Sequence, residues 1–217
     1  MWGCPARRSL IRPDLHLEQE LWSAGYCWVA GLDEAGRGAW AGPVVAAAVV
    51  LPFDRDDLPQ TLQGVRDSKQ LTARQREALF PAICQTALTV GVGLASPGFI
   101  DRRGIVPATR RAMHMAIRNL SCCPEHLLID ALRLHWVQVP QRAVIHGDAL
   151  VLSIAAASIV AKVFRDRIMI SLDRYHPGYG FASHKGYGVP VHVAALARLG
   201  PCPAHRMSFA PLCNLGR

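Results

Sequence analysis

The chain has 217 residues and a mass of 23.7 kDa, enough for one large domain with a sizeable buried core. Hydrophobic residues at 51% and charged residues at 18% exclude a disordered chain. A net charge of +8 and a pI near 9.5 favour an anionic partner, nucleic acid first.

Asp14 is placed to cap a helix over 14–25, with Leu15, Leu17, Leu21 and Trp22 on its apolar side and Gly25 as its stop. A short strand over 28–32 runs into Asp33-Glu34-Ala35-Gly36-Arg37-Gly38, and a second strand follows over 44–51. So brief a link predicts antiparallel neighbours. Residues 54–69 read as a surface loop, and Thr72 caps a helix over 72–86 that Pro81 should kink or divide. A third strand is predicted over 88–95 and a helix over 105–120, with Pro107 in its tolerant first turn. Two further strands are predicted over 126–130 and 142–146, then one long helix over about 149–175. Turns at Pro177-Gly178 and Gly186-Tyr187-Gly188 and a helix over about 190–199 complete the tail. The pattern predicts an α/β protein: an N-terminal segment and first helix (1–27), a mixed five-stranded sheet flanked by helices (28–175), and a small C-terminal helical extension (176–217).

Seven cysteines, odd in number and without a C-x-x-C pair, read as reduced thiols and not as a disulfide or zinc framework. No apolar run follows Arg7 and Arg8, so no signal peptide is expected. The longest uncharged stretches, 38–53 and 149–161, are too short or too proline-broken to span a bilayer. The expectation is a cytoplasmic protein that does not engage a membrane.

Asp33, Asp130 and Asp148 each stand at or just past the end of an apolar strand-like run. Neighbouring strands lie about 4.8 Å apart, so such acids can converge. Carboxylates that close stay ionised only with protons or cations among them. Mg²⁺ or Mn²⁺ suits such an oxygen set, and solvated strand ends or helix caps account for it equally well. Adjacent strand residues point to opposite faces, so Glu34 joins Asp33 in one site only if the strand stops between them.

Gly36, Gly38 and Gly42 do not make a dinucleotide-binding loop, because Pro43 and the run 44–50 follow where a helix is required. Cys202, His176, His184, His192 and His205 lie near one another in sequence but at no zinc-ligand spacing. Asp67-Ser68-Lys69 and His184-Lys185-Gly186-Tyr187-Gly188 fit either phosphate contacts or plain turns. Tyr187, between glycines, fits stacking on a sugar or base. Lys162, Arg165 and Asp166 recur at helical spacing and read as an intrahelix ion pair.

Together these segments resemble the ribonuclease HII family, the prokaryotic type 2 ribonucleases H. The likeness is carried by Gly31 through Gly38 with Gly42-Pro43-Val44, Asp67-Ser68-Lys69-Gln70-Leu71, Ile129-Asp130, Gly147-Asp148, Ser153 through Val163, Arg165-Asp166, His184 through Gly188, and His205-Arg206 with Ser208-Phe209. It runs in family order from about residue 28 to 212.

The resemblance implies a ribonuclease H-like fold whose C-terminal extension packs near the active site. It also implies endonucleolytic cutting of RNA in RNA–DNA hybrids and on the 5′ side of ribonucleotides embedded in duplex DNA, leaving 5′-phosphate and 3′-hydroxyl ends. Asp33, Glu34, Asp130 and Asp148 match the four active-site acids, which would hold Mn²⁺ or Mg²⁺ for two-metal hydrolysis. Gly36, Arg37 and Gly38 match the turn that reads the ribose 2′-hydroxyl, and Tyr187 the ring beside that nucleotide. Ser68, Lys69 and Lys185 stand as further substrate contacts, and Asp166 as a structural acid.

The chain departs from the family pattern at Ala131, where glycine is usual, at Leu150-Val151, where a more polar pair is usual, and at Val189-Pro190, where threonine is usual. His146 stands where a lysine usually precedes Gly147-Asp148, which puts a cationic phosphate contact there in doubt. The expected partner is a hybrid or a ribonucleotide-containing duplex, and the expected state a monomer. The sister type, ribonuclease HIII, adds an N-terminal domain for which the first 27 residues are expected to leave no room. The rivals are a nucleic-acid-binding protein with a structural acidic cluster and a related nuclease for another structure, such as a DNA junction.

Overall fold

The computed structural model of the chain describes residues 12–214. Cys4, Arg7 and Arg8 lie outside the described residues. Strands β1 (Val29–Ala35), β2 (Val44–Val50), β3 (Thr89–Ala95), β4 (His126–Asp130) and β5 (Gln141–Val144) form one sheet in the order β3-β2-β1-β4-β5. The β1–β2 and β2–β3 pairs are antiparallel, and the β1–β4 and β4–β5 pairs are parallel. This is the expected mixed five-stranded sheet.

The helices in chain order are α1 (His16–Ser23), α2 (Leu58–Thr61), α3 (Ala73–Thr86), α4 (Pro97–Arg103), α5 (Ile105–Arg118), α6 (Gly147–Leu150), α7 (Leu152–Tyr175), α8 (Phe181–His184) and α9 (Pro190–Leu199). Single 3₁₀ turns lie at Ser68–Gln70 and Leu212–Asn214.

Strand β2 is apolar throughout because both of its faces are covered. Ala47 and Val49 pack toward Ala155, Ala156 and Ala157 of α7. Ala46, Ala48 and Val50 pack toward Ala108, Ala112 and Ala116 of α5. Alanine and glycine let these helices sit close. A Cβ at Gly91 would fall 2.0 Å from the Ala116 carbonyl oxygen, and one at Gly93 2.2 Å from that of Ala112. The tail folds back on the body: Phe181, Leu196 and Ala204 pack against Met169 of α7 and Ala41 of the β1–β2 link. Among the described residues, no helix is long and apolar enough to cross a membrane.

Several boundaries differ from expectation. Helix α1 starts at His16, whose N–H donates to the Asp14 carboxylate at 2.9 Å, and it ends at Ser23. The loop before Lys69 contains the short α2. Pro81 does not divide α3, whose start is fixed by a capping box of Thr72 and Gln75 and whose Ile83 is held in the α7-side core. Helix α4 was not foreseen, although Ser96 caps it and Pro97 opens it.

The predicted long helix is broken at Val151, which is extended (φ −118°, ψ 123°). There the chain pairs with Asp14: Asp14 N–H donates to the Leu150 carbonyl at 3.0 Å, and Leu152 N–H to the Asp14 carbonyl at 2.9 Å. Strand β5 stops at Val144, and His146 turns the chain with a left-handed φ of 57°.

Candidate active site

The parallel pairing of β1 with β4 ends at Leu32 and Ile129, so Asp33 and Asp130 are the first residues past the last couple. Asp130 is held by the Gly147 N–H, which donates to its carboxylate at 2.8 Å and brings the first turn of α6, with Asp148, to the same place. One carboxylate oxygen each from Asp33, Asp130 and Asp148 lies within 4.8 Å of the others. Asp33 and Asp148 are buried. Burial, reinforced by the charges of Glu34 and Asp130, raises the Asp33 pKa well above the usual carboxylate range. Burial also raises that of Asp130, against the pull of the Gly147 N–H.

Glu34 arrives differently from expectation. The strand does not stop between Asp33 and Glu34. It continues through Ala35, and the ladder with β2 keeps Asp33 opposite Ala47 and Glu34 opposite Ala46. The Glu34 carboxylate is therefore outside the 4.8 Å group of three aspartates. It lines the same cleft, 3.3 Å from the Arg37 guanidinium. Burial raises its pKa, and Arg37 opposes that rise.

A hard divalent cation fits this donor set: three close carboxylates, two of which the fold alone pushes toward protonation. A protein cation already stands beside it. The Lys69 ammonium lies 2.9 Å from the Asp148 carboxylate and 3.9 Å from that of Asp67. Burial works against its charge, but the hydrogen bond to Asp148 and the surrounding carboxylates raise its pKa overall. Lys69 is delivered by the 3₁₀ turn, whose first residue, Ser68, accepts a 2.7 Å hydrogen bond from Ser158 of α7.

The turn after β1 is locked from beneath by two buried arginines. Arg206 donates to the carbonyls of Gly36 (2.7 Å), Arg37 (2.9 Å) and Gly42 (2.9 Å). Arg165 donates to those of Ala41 and Pro43, each at 3.1 Å. Burial, with the Arg165 charge, pushes the Arg206 pKa down to about 9, and burial lowers that of Arg165. Arg165 thus takes no part in the predicted intrahelix pair, which is Lys162 with Asp166 at 2.7 Å, joined by Arg76 at 3.4 Å. Gly36 has a φ of +91°, and a Cβ there would lie 1.9 Å from Arg165 Nε. Gly38 has nothing among the described residues within 4 Å of the place its Cβ would occupy.

Tyr187, 37% exposed, closes the opposite side, its ring centroid 5.4 Å from the Arg165 guanidinium and 5.9 Å from the Lys162 ammonium. Its loop is tied to the first turn by the Trp40 N–H, which donates to the Gly186 carbonyl at 2.8 Å. Lys185 is not brought to the cleft: its ammonium donates to the Ala182 carbonyl. The tail histidines pair with one another, His192 Nε2 lying 3.0 Å from His205 Nε2. Among the described residues, only the three aspartates gather as a metal-ligand group.

The resulting cleft, of about 220 Å³, is lined by Asp33, Glu34, Asp130, the 36–38 turn, Ser68, Lys69 and Tyr187. Lys162 lines it as well, although helical spacing marked it only as a salt-bridge residue. Arg206 lay within a segment already singled out, but nothing in its neighbours signals a buried guanidinium that holds three carbonyls.

Comparison with known proteins agrees with this geometry. The ribonuclease HII family model matches residues 30–212. The ribonuclease HII of Chloroflexus aggregans is 54% identical over 205 residues, covering 94% of this chain and 97% of that protein. That of Roseiflexus castenholzii is 53% identical over 203 residues, covering 94% and 91%. Among solved structures, the ribonuclease H2 of Pyrococcus horikoshii OT3 superposes with a TM-score of 0.72 at 28% identity, covering 86% of this chain and 96% of that one. The chain, with its ribonuclease H fold and strand-end acids, belongs to the ribonuclease HII family.

Proposed function

We propose that this protein is a metal-dependent endoribonuclease that cuts RNA in RNA–DNA hybrids and on the 5′ side of ribonucleotides embedded in duplex DNA, leaving 5′-phosphate and 3′-hydroxyl ends. The observation that carries the reading is the convergence of Asp33, Asp130 and Asp148 within 4.8 Å, with Asp33 and Asp130 lining a cleft shared with a glycine turn and an exposed tyrosine ring. Family membership supports it independently.

Asp33, Asp130 and Asp148, with Glu34 beside them, would hold Mg²⁺ or Mn²⁺, which supplies Lewis-acid activation of water and charge stabilisation at the leaving oxygen. The protein's own groups supply recognition. The carbonyls of Gly36 and Arg37 are committed to Arg206, so the turn is held rigid where it faces the cleft. Such a backbone suits a ribose 2′-hydroxyl, the group that separates RNA from DNA. The ring of Tyr187 offers a stacking face for the same nucleotide, with Lys162 and Arg165 beneath it. Lys69 neutralises Asp148 and is positioned to meet a phosphate oxygen entering the cleft. Because Tyr187 belongs to the tail, the segment 176–217 acts as a recognition element for the domain 28–175.

Asp33→Asn tests the reading. It keeps an acceptor for the Glu34 N–H, which now donates to Asp33 at 2.7 Å, and it removes a buried charge. The variant should fold, with stability without metal raised by about 1 kcal/mol. It should also lose both the rise in Tm on adding Mn²⁺ and the cutting of a duplex with one ribonucleotide. Full retained cutting would overturn the assignment.

A further inference from the structure

Arginines gather on the α5 side of the sheet, and part of the cluster reaches the end where the acids stand. From residue 102 to 124 the chain carries Arg102, Arg103, Arg110, Arg111 and Arg118 and no acid, and from 131 to 147 it adds Arg133 and Arg142, again with no acid. Arg142, opposite Leu128 at the start of β5 and paired with Glu20 of α1 at 3.1 Å, stands apart from the others, none of which has a carboxylate partner among the described residues.

The sheet register places these arginines. Ala95, the last residue of β3, pairs with Val44, whose neighbour Val45 pairs with Ala35, so β3 ends where β1 ends. Ala112 of α5 lies over Gly93 and Ala116 over Gly91, so the N-terminal half of α5 approaches that end and Arg118 lies away from it. Helix α4 starts directly from the same end at Ser96 and finishes with Arg102 and Arg103. The link from Asp130 to β5 carries Arg133 and Trp136, and it is anchored by Leu134, buried with Ile100 and Ala108. Trp136 is 52% exposed, with the Arg110 guanidinium 5.9 Å from its ring centroid.

We infer that Arg110, Arg133 and Trp136, flanked by Arg102 and Arg103, form a second contact surface for the phosphate backbone of a double-stranded substrate, outside the cleft. The inference rests on the nuclease reading and adds to it how the duplex is held. Tyr187, Lys162 and Arg165 stand on the α7 side of the acids, and the arginine surface stands on the α5 side. A rod crossing the end of the sheet meets both. A duplex carries about one charge per 1.7 Å of its axis, and the guanidinium fork matches phosphate oxygens geometrically. An acidic protein segment would satisfy the charge without needing both sides of the acids.

The test uses the full chain with Arg110→Ala and Arg133→Ala combined, compared with the same two positions changed to Lys and with Arg118→Ala. Cleavage and binding of a hybrid of about 20 base pairs are measured over a salt series, with binding read in the Asp33→Asn background. The alanine pair should raise KM about tenfold more than it changes kcat. It should also lower the slope of log affinity against log salt by about 2, at roughly 0.9 per lost phosphate contact. The lysine pair should retain most of the slope, and Arg118→Ala should match the parent. An unchanged salt slope in the alanine pair overturns the surface, and so does a loss of kcat without a change in slope, because neither is expected of lost phosphate contacts. Should the parent bind hybrid but never cut it, the nuclease reading fails while the slope comparison still decides the surface.

Discussion

Gly36 and Gly38 stand two residues apart in one turn, and the fold makes different demands on them. At Gly36 a side chain would meet both a left-handed backbone and the Arg165 guanidinium, 1.9 Å from where its Cβ would sit. Gly36→Ala should therefore cost more than about 1 kcal/mol in a denaturant melt. At Gly38 φ is unexceptional and the space is open to 4 Å, so Gly38→Ala should leave stability within about 0.5 kcal/mol of the parent. If a ligand approaches the backbone there, that variant should still lose at least tenfold in cutting at a single ribonucleotide. Paired melts and rate measurements on the two variants separate a structural glycine from a recognition glycine. Equal, small effects on rate would remove the turn from recognition. Arg206 belongs to the same account, because its three hydrogen bonds to carbonyls keep the turn in place without touching the cleft.

At the level of elements, α1 is fastened to α7 through one buried acid. Glu18 accepts the Ser153 N–H at 2.8 Å, its other oxygen has no partner among the described residues, and burial raises its pKa to about 7. A folded-state pKa above the unfolded one means that this contribution is fully present below about pH 4.5 and is lost as pH rises toward 7. Glu18→Gln should therefore stabilise the protein at pH 8 and converge with the parent below pH 5, as read by urea midpoints. A constant difference across that range would contradict the raised pKa. His205 works in the opposite sense. Burial holds its pKa down to about 4, so its contribution is present above pH 6.5 and is lost as pH falls toward 4.

These same elements mark what was legible in the sequence. The run 44–50 declares itself because burial on both faces makes it apolar throughout, and α5 because burial on one face writes a helical period into residue choice. The break at Val151 does not, because the apolar stretch around it is the same on either side. What interrupts the helix is the backbone of Asp14, more than a hundred residues earlier. Asp33 and Asp130 were visible as strand-end acids, whereas Asp148 sits in the first turn of α6 and not at the end of β5. The continuation of β1 through Glu34 was not visible, since the strand was expected to end at residue 32 and the ladder with β2 carries it on to Ala35. Arg165 looked like a salt-bridge residue from its spacing, and only the turn folded over it reveals its carbonyl partners.

Over the whole molecule, the sheet brings residues from distant stretches to one end. Asp33 comes from β1, Asp130 from β4 and Asp148 from α6, while Lys69 arrives on a 3₁₀ turn and Tyr187 on a loop of the tail. Two large helices cover the two faces, so the open end of the sheet is where charged groups collect. The direct test of the central claim is cleavage of a DNA duplex carrying one ribonucleotide, run beside all-DNA and all-RNA duplexes, with Mg²⁺, with Mn²⁺ and with chelator. The account predicts a cut 5′ of the ribonucleotide only when a divalent ion is present, with the all-DNA duplex intact. Cutting that survives chelation, or equal cutting of the all-DNA duplex, would contradict it.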